Sequence, residues 1–401
     1  VAWGMGPPDG PRRALWAALA LAAFEILRSW IFTGFPWALI GSVWIEHPVA
    51  QLAAVVGVHG LTLFTVVLSV GVFTLSIWRA SRRAILATGI TVIFWGGGAY
   101  YGERAVEFYD AVAAQADPTP MVRIVQPNET QSLKWQPDMI PVFWERKLTL
   151  TALPAPVRPD VIIWPEVSVP YLLEEDGGFH PDIAQAAAGA TVIAGMQRFV
   201  GLDLFNSLAV IGSDAVASQI YDKHHLVPFG EYLPGRPLMD RLGLQGLATD
   251  MLGNFSSGPG PRVLDLGPLG RVLPLICYEA IFPRHVRTSG DDRPDWIVHV
   301  TNDAWFGARV GPEQHLDQAR FRAIEQGLPV VRSANTGISA LIDPAGRIVK
   351  SLPMDTQGTI DAPIPPALSS TLYASYGNWP VVFLWGLLAV WLIGSNARKG
   401  H

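Results

Sequence analysis

Residues 271–279 read RVLPLICYE. Val272 to Ile276 are apolar at consecutive positions, so both faces of the strand they form need cover, as in a sheet packed on each side. The apolar run stops at Cys277, and Tyr278 and Glu279 follow at once. Working outward, the same short β-branched pattern recurs at 121–126 (MVRIVQ), 161–166 (VIIWPE), 191–197, 207–213, 218–224 (SQIYDKH), 296–303 (WIVHVTND), 329–335 and 339–344. Helical stretches fit 138–152, 181–188 and 313–326, the last with an amphipathic period. Strands alternating with helices, and strands apolar on both faces, predict an α/β sandwich.

Reactive side chains stand at the ends of three of these strands. Glu166 closes VIIWPE, Lys223 closes QIYDK and Cys277 closes VLPLIC. Strand ends in α/β folds face a common crevice. A carboxylate, an amine and a thiol brought together there make a nucleophile site. The thiolate attacks, the carboxylate takes its proton, and the ammonium stabilises thiolate and oxyanion. The backbone N–H just after Cys277 offers a second oxyanion donor. Plainer readings stay open on spacing alone: a buried cysteine as a small hydrophobe, Glu166 as the start of a turn, Lys223 as a solvated lysine.

The 401-residue chain is 50% hydrophobic and 16% charged, against about 25% charged in ordinary domains. The deficit is concentrated at 14–101 and 379–395. Four stretches approach the roughly 20 apolar residues that cross a bilayer as a helix: 14–33, a segment within 50–78, 84–101 and 379–395. Arg12 and Arg13, then Arg79, Arg82 and Arg83, then Arg398 and Lys399 fall on one side when the chain is threaded through them. The positive-inside rule makes that side cytoplasmic and puts 34–49 and 102–378 outside. Glu25 and Arg28, spaced i,i+3 in the first span, can pair on one helix face. They read as a structural ion pair. Gly34-Phe35-Pro36-Trp37 reads as a turn at the membrane surface. The net charge of −5 and the lack of a basic stripe argue against nucleic acid. One cysteine excludes an intrachain disulfide. Scattered histidines, with His224 and His225 adjacent and His315 in a helix as a packing residue, give no metal-ligand spacing, and no cofactor is expected.

Trp164-Pro165-Glu166, Lys223 and Ile276-Cys277-Tyr278-Glu279 resemble the Glu-Lys-Cys triad of the nitrilase superfamily. FTGFPW (32–37), QSLKW (131–135), KHHLVPFGEYLP (223–234), TNDAWFG (301–307) and GNWP (377–380) bring the likeness closer to its membrane-bound branch, the apolipoprotein N-acyltransferases. The resemblance implies an αββα sandwich flanked by transmembrane helices in a bacterial inner membrane. It implies a fatty acyl group passed from a phospholipid to Cys277, then to the N-terminal amine of a diacylated apolipoprotein. Glu166 is then the base and Lys223 the oxyanion stabiliser. Trp135, Glu231, Tyr278 and Glu279 match further required positions: Trp135 as a substrate contact, Glu231 as active-site support, Tyr278 and Glu279 as local architecture.

The expected division is a transmembrane region at 1–101, an extracytoplasmic catalytic domain at 102–372 and a last span with a cytoplasmic tail at 373–401. Members of the branch carry more spans before the first one here, so earlier spans are expected to be missing. The Leu- and Met-rich stretch 233–256 is expected to act as a mobile lid on the lipid surface. Two rival readings use the same fold: a membrane-tethered amidase with water as acceptor, and a non-catalytic binding module.

Overall fold

The computed structural model describes residues 10–77, 82–174, 179–232, 234, 255–287, 292–307 and 309–397. Three long helices come first: α1 (Gly10–Arg28), α2 (Ala53–Ile77) and α3 (Arg82–Ala113). The sandwich follows, with β1 (Met121–Gln126), α4 (Ile140–Thr151), β2 (Val161–Ile163), α5 (Phe179–Ala187), β3 (Thr191–Val200), β4 (Asp203–Ile211) and β5 (Ala217–Asp222). It continues with β6 (Leu264–Asp265), β7 (Arg271–Ile276), β8 (Trp296–Thr301), α6 (Val310–Gln326), β9 (Val330–Ala334), β10 (Ser339–Ile342), β11 (Ile348–Leu352) and β12 (Gly358–Pro363). The short α7 (Leu372–Tyr376) leads into α8 (Trp379–Ala397).

Two six-stranded sheets run β12-β1-β2-β3-β4-β5 and β11-β10-β9-β8-β7-β6. In each, the central strands are parallel and the pairs beyond them antiparallel. Alternate residues explain the double burial. Val122, Ile124, Ile163, Ile193, Val272, Ile276, Val298 and Val331 meet between the sheets. Ile162, Val192 and Ala209 face outward toward Trp144 of α4 and Ile183 of α5. Leu273, Leu275 and Ile297 face outward toward Leu316, Ala319 and Ala323 of α6. The layers are α, β, β, α, an α/β sandwich as the strand and helix pattern predicted, in the order that the resemblance implied.

Three strands went unread. β6 has two residues, β11 is almost wholly exposed, and β12 carries Asp361 and two prolyl neighbours of irregular pattern. All three are poor in the apolar alternation that betrays a strand. Most predicted strands also end one to three residues early, and two of these ends bear on the site. β2 stops at Ile163, before the Pro165 that has no N–H to give a ladder. β7 stops at Ile276, where a 3₁₀ turn takes over.

Helices occupy all four apolar stretches. The run Pro48–Thr74 is long and apolar enough to cross a membrane by length and composition, and Trp379–Leu392 is apolar but shorter. α1 ends at Arg28, short of the predicted 33, because Phe32 and Gly34 take positive φ. α3 runs past 101 to Ala113. Glu25 and Arg28 pair at 3.0 Å as expected. Glu25 Oε2 also accepts from Ile40 N, and Arg28 Nη1 donates to Phe35 O and Trp37 O. The pair therefore clamps the loop after α1. α2 kinks at Gly57, whose φ is +67°, and only glycine fits there, because the Tyr373 ring fills the space a Cβ would take. Val58 N donates to Glu325 Oε1 of α6 at 2.9 Å, and Glu325 pairs with Arg322. That bond pins the helices to the sandwich. Of the basic residues behind the expected orientation, Arg79, Arg398 and Lys399 lie outside the described residues. So does the expected lid, apart from residues 234, 255 and 256.

Candidate active site

The three expected residues converge at one end of the sandwich. Glu166 lies three residues beyond β2, Lys223 directly after β5, and Cys277 directly after β7. All three are at least 94% buried. Lys223 Nζ sits 2.7 Å from Glu231 Oε1 and 3.4 Å from Glu166 Oε1. Asn206 Nδ2 donates to both carboxylates, at 2.9 Å to Glu166 and 3.2 Å to Glu231. The second oxygen of Glu166 accepts from Asn302 N at 2.9 Å, and that of Glu231 from Val227 N at 2.8 Å. Each carboxylate is thus tethered at both oxygens, with an ammonium between them.

Burial is the largest influence on the Cys277 thiol and pushes its pKa up. Glu166 adds to that, while Lys223 and a hydrogen bond with Thr301 oppose it. Burial and the nearby Glu166 carboxylate thus favour the protonated thiol over the thiolate. Burial works to lower the pKa of Lys223, but Glu231, Glu166 and Cys277 outweigh it and hold the amine as ammonium. The cluster therefore keeps a fixed positive charge buried between two carboxylates.

Two non-glycine residues here have left-handed backbone: Cys277 at φ +48° and Val167 at φ +44°. Such conformations cost about 1–3 kcal/mol each and persist where the surroundings hold them. Glu279 is one such restraint. Its fully buried carboxylate accepts from Ile276 N at 2.8 Å, His224 N at 2.8 Å and Tyr221 Oη at 3.1 Å, with His224 Nδ1 at 2.6 Å. It ties the segment after Lys223 to the cysteine turn. On the Glu166 side, Gly195 of β3 lets the chain approach. A Cβ there would lie 2.5 Å from Pro165 O and 2.7 Å from both Glu166 Cα and Val167 N, all backbone atoms. Gly195→Ala is expected to push Glu166 aside by about an ångström and to slow any reaction at this site that uses Glu166 by about 10²-fold. A rate within threefold of wild type would show that the Glu166 segment tolerates the shift.

An apolar cleft of ≈ 410 Å³, walled by Gly34, Phe35, Trp37, Val227, Tyr278 and Phe306, reaches the site through Tyr278, the residue after Cys277. The loop after α1 thus forms one wall and the sandwich the other. Tyr278 Oη donates to Gly34 O at 3.2 Å and Trp37 Nε1 to Gln314 Oε1 at 2.6 Å, joining the two. Trp135 stands elsewhere. It is 45% exposed, with Lys134 Nζ 5.6 Å from its ring centroid. It borders a small hollow with Glu129, Lys134, Lys147 and Val167, behind the Glu166 loop. Glu129, paired to both lysines, is a buried charge group that the sequence reading passed over. Asn206 and Asn302, neutral residues that donate to the Glu166 carboxylate, were not singled out from the sequence either. An asparagine inside the apolar strand LFNSLAVI was the one signal for Asn206. Among the described residues, no group of three His, Cys, Asp or Glu is placed to hold a metal.

Residues 122–373 match the carbon-nitrogen hydrolase family model, and residues 2–71 match that of the apolipoprotein N-acyltransferase N-terminal domain. The apolipoprotein N-acyltransferase of Bradyrhizobium diazoefficiens is 37% identical over 97% of this chain and 74% of its own length. That of Caulobacter vibrioides is 37% identical over 98% and 75%. That of Brucella melitensis is 39% identical over 98% and 75%. A solved CN-hydrolase superfamily protein from Xanthomonas campestris matches 66% of this chain and 96% of its own, with a TM-score of 0.45 at 20% identity.

Proposed function

The chain belongs to the apolipoprotein N-acyltransferase family, and from that premise we propose how its buried Glu-Lys-Cys cluster carries out lipoprotein N-acylation. The supporting observation is that Glu166, Lys223 and Cys277 arrive from three strands at one buried point, which the apolar cleft reaches through Tyr278. Glu166 removes the Cys277 proton as Sγ attacks the ester carbonyl of a phospholipid. Lys223 and the Tyr278 N–H hold the oxyanion. The ester C–O bond breaks, Glu166 returns its proton to the departing lysophospholipid alkoxide, and a thioester remains on Cys277. The N-terminal amine of a diacylglyceryl-cysteine lipoprotein then attacks the thioester. Glu166 takes the amine proton, the C–S bond breaks, and the thiol is restored. Two half-reactions share one covalent intermediate, which is ping-pong chemistry.

Glu231 holds Lys223 between the carboxylates, and Glu279 and Tyr278 shape the cysteine turn. Trp135, outside the cleft, acts on an acceptor that is larger than the cleft. α1, α2, α3 and α8 cross the bacterial inner membrane. The sandwich lies on its outer side, where both lipid-anchored substrates reach the loop after α1. The exposed Trp30, Phe32, Phe35 and Trp305 suit a site that opens at the lipid surface.

The test is an intact-mass measurement of the full chain incubated with phospholipid and no acceptor, with Cys277→Ala as blank. A gain of one fatty acyl group, released by hydroxylamine and discharged by a diacylated lipopeptide, is the expected result. Discharge to water at an equal rate with and without lipopeptide would make the protein an amidase-like hydrolase. No adduct on folded protein would refute covalent transfer.

A further inference from the structure

The main-chain carbonyl of Cys277 faces two imidazoles that the proposed transfer does not use. His299 Nε2 of β8 and His315 Nε2 of α6 each lie 3.2 Å from Cys277 O. Both rings are fully buried. A carbonyl oxygen has two lone pairs and can accept from both. The partners fix the ring protons. Arg332 Nη1, which only donates, lies 2.8 Å from His299 Nδ1, so that nitrogen accepts and Nε2 carries the hydrogen. Burial, reinforced by Arg332, keeps the His299 pKa well below its ordinary value and so keeps this neutral form. His315 Nδ1 faces Asp303 Oδ1 at 2.9 Å, and Asp303 is held by Arg332 Nη2 and Thr301 Oγ1. Burial, reinforced by Arg332, lowers the His315 pKa too, against the pull of Asp303; the ring donates to both neighbours when it carries two protons and to one when neutral. His299 supplies the constant bond.

A trans peptide is planar, and its C=O and N–H point in opposite directions. Cys277 C=O and Tyr278 N–H are the two ends of one such plane. Anchoring the oxygen against β8 and α6 turns the Tyr278 N–H to the other side, away from the two rings. Tyr278 also lies in the first turn of a 3₁₀ helix, where N–H groups have no partner within the helix. We infer that His299 and His315 are positioning residues: through the Cys277 carbonyl they aim the Tyr278 N–H at the oxyanion formed when Cys277 attacks an acyl carbonyl. The left-handed backbone at Cys277 needs such anchorage. The Trp37 ring, 5.5 Å from that of His315 and nearly parallel to it, ties this anchorage to the cleft wall. The inference rests on Cys277 being the nucleophile proposed above.

Paired substitutions separate this role from packing. Asparagine places its amide where Nδ1 was and keeps the bond to Asp303 at position 315, or to Arg332 at 299, but falls short of the Cys277 carbonyl. Glutamine reaches the Nε2 position and keeps the carbonyl bond. Two reactions of Cys277 are measured in the full chain: acylation by phospholipid in mixed micelles, and alkylation by iodoacetamide. Alkylation displaces iodide at a saturated carbon and forms no oxyanion. In His299→Asn and His315→Asn, acylation is expected to slow by about 10- to 100-fold, somewhat less than the cost of deleting an oxyanion donor outright. Half-saturating phospholipid and the alkylation rate should stay within about twofold. His299→Gln and His315→Gln are expected to acylate within about threefold of wild type. Acylation at the wild-type rate in the Asn variants overturns the inference. So does an equal loss of acylation and alkylation, which marks a damaged site. A wild type that alkylates but takes no acyl group overturns the acyl-transfer reading itself, and this inference with it.

Discussion

Replacing Lys223 with methionine is expected to cut acyl-enzyme formation by at least about 10³-fold, and to lower stability as well. Lys223 is 1% exposed, with its ammonium between Glu231 at 2.7 Å and Glu166 at 3.4 Å. Methionine fills much of the volume but leaves two buried carboxylates with no cation between them, held only by Asn206 Nδ2 and the N–H groups of Asn302 and Val227. Like charges that close disfavour double ionisation, so one carboxyl takes up a proton. A protonated Glu166 cannot serve as base, and the oxyanion loses its fixed cation, worth about 10²–10³ in rate by itself. Removing one partner of a buried ion pair costs about 3–5 kcal/mol. Adduct formation by intact mass and unfolding by denaturant are the two measurements. Lys223→Arg should not rescue, because a planar guanidinium does not fit between oxygens set for a point charge. Acylation by Lys223→Met at a tenth of the wild-type rate or better would remove Lys223 from the chemistry.

What the sequence disclosed and what it hid follow from the same physics. Strands such as VLPLI announce themselves because burial on both faces demands unbroken apolar residues. The ends of those strands carried Glu166, Lys223 and Cys277, the residue types an acyl transfer needs. The helices were legible because their apolar residues run with few breaks over a length that suits a helix and not a strand. The hidden residues are those whose role is set by a partner far along the chain. Asn206 meets carboxylates from positions 166 and 231, and His299 and His315 meet on the carbonyl of residue 277. Nothing in the local pattern of WIVHVT or of the α6 helix distinguishes a histidine that holds a carbonyl from one that fills space. Trp135 shows the reverse. It was legible as a matched position, yet it stands 45% exposed outside the cleft, so its contact with substrate is not to be read from the cleft geometry.

Glu279 carries the second large effect. Its carboxylate has no exposed surface, and it gathers the N–H groups of Ile276, His224 and His225, the Tyr221 hydroxyl and the His224 ring. Burial alone would raise its pKa. The His224 ring, with the N–H groups of Ile276 and His224, more than reverses this and leaves it below the usual carboxylate range. Glu279→Ala strands all these donors in the core, where each unsatisfied group costs about 1–3 kcal/mol. The variant is expected to lose about 4 kcal/mol or more, enough to unfold a marginal domain. Glu279→Gln keeps the shape but loses the charge, and one amide N–H then meets donors. Its expected loss is smaller, about 2 kcal/mol at pH 7, within the range for hydrogen bonds to charged groups. The pH dependence has a definite sign. A carboxylate with a depressed folded pKa stabilises fully above its unfolded value of about 4.3 and loses that contribution as pH falls through the folded pKa. The stability curves of wild type and Glu279→Gln should therefore run apart at pH 7 and converge on acidification below about pH 4. Parallel curves across that range would mean that the Glu279 charge does not hold the cysteine turn to the segment after Lys223. The position would then serve by shape alone.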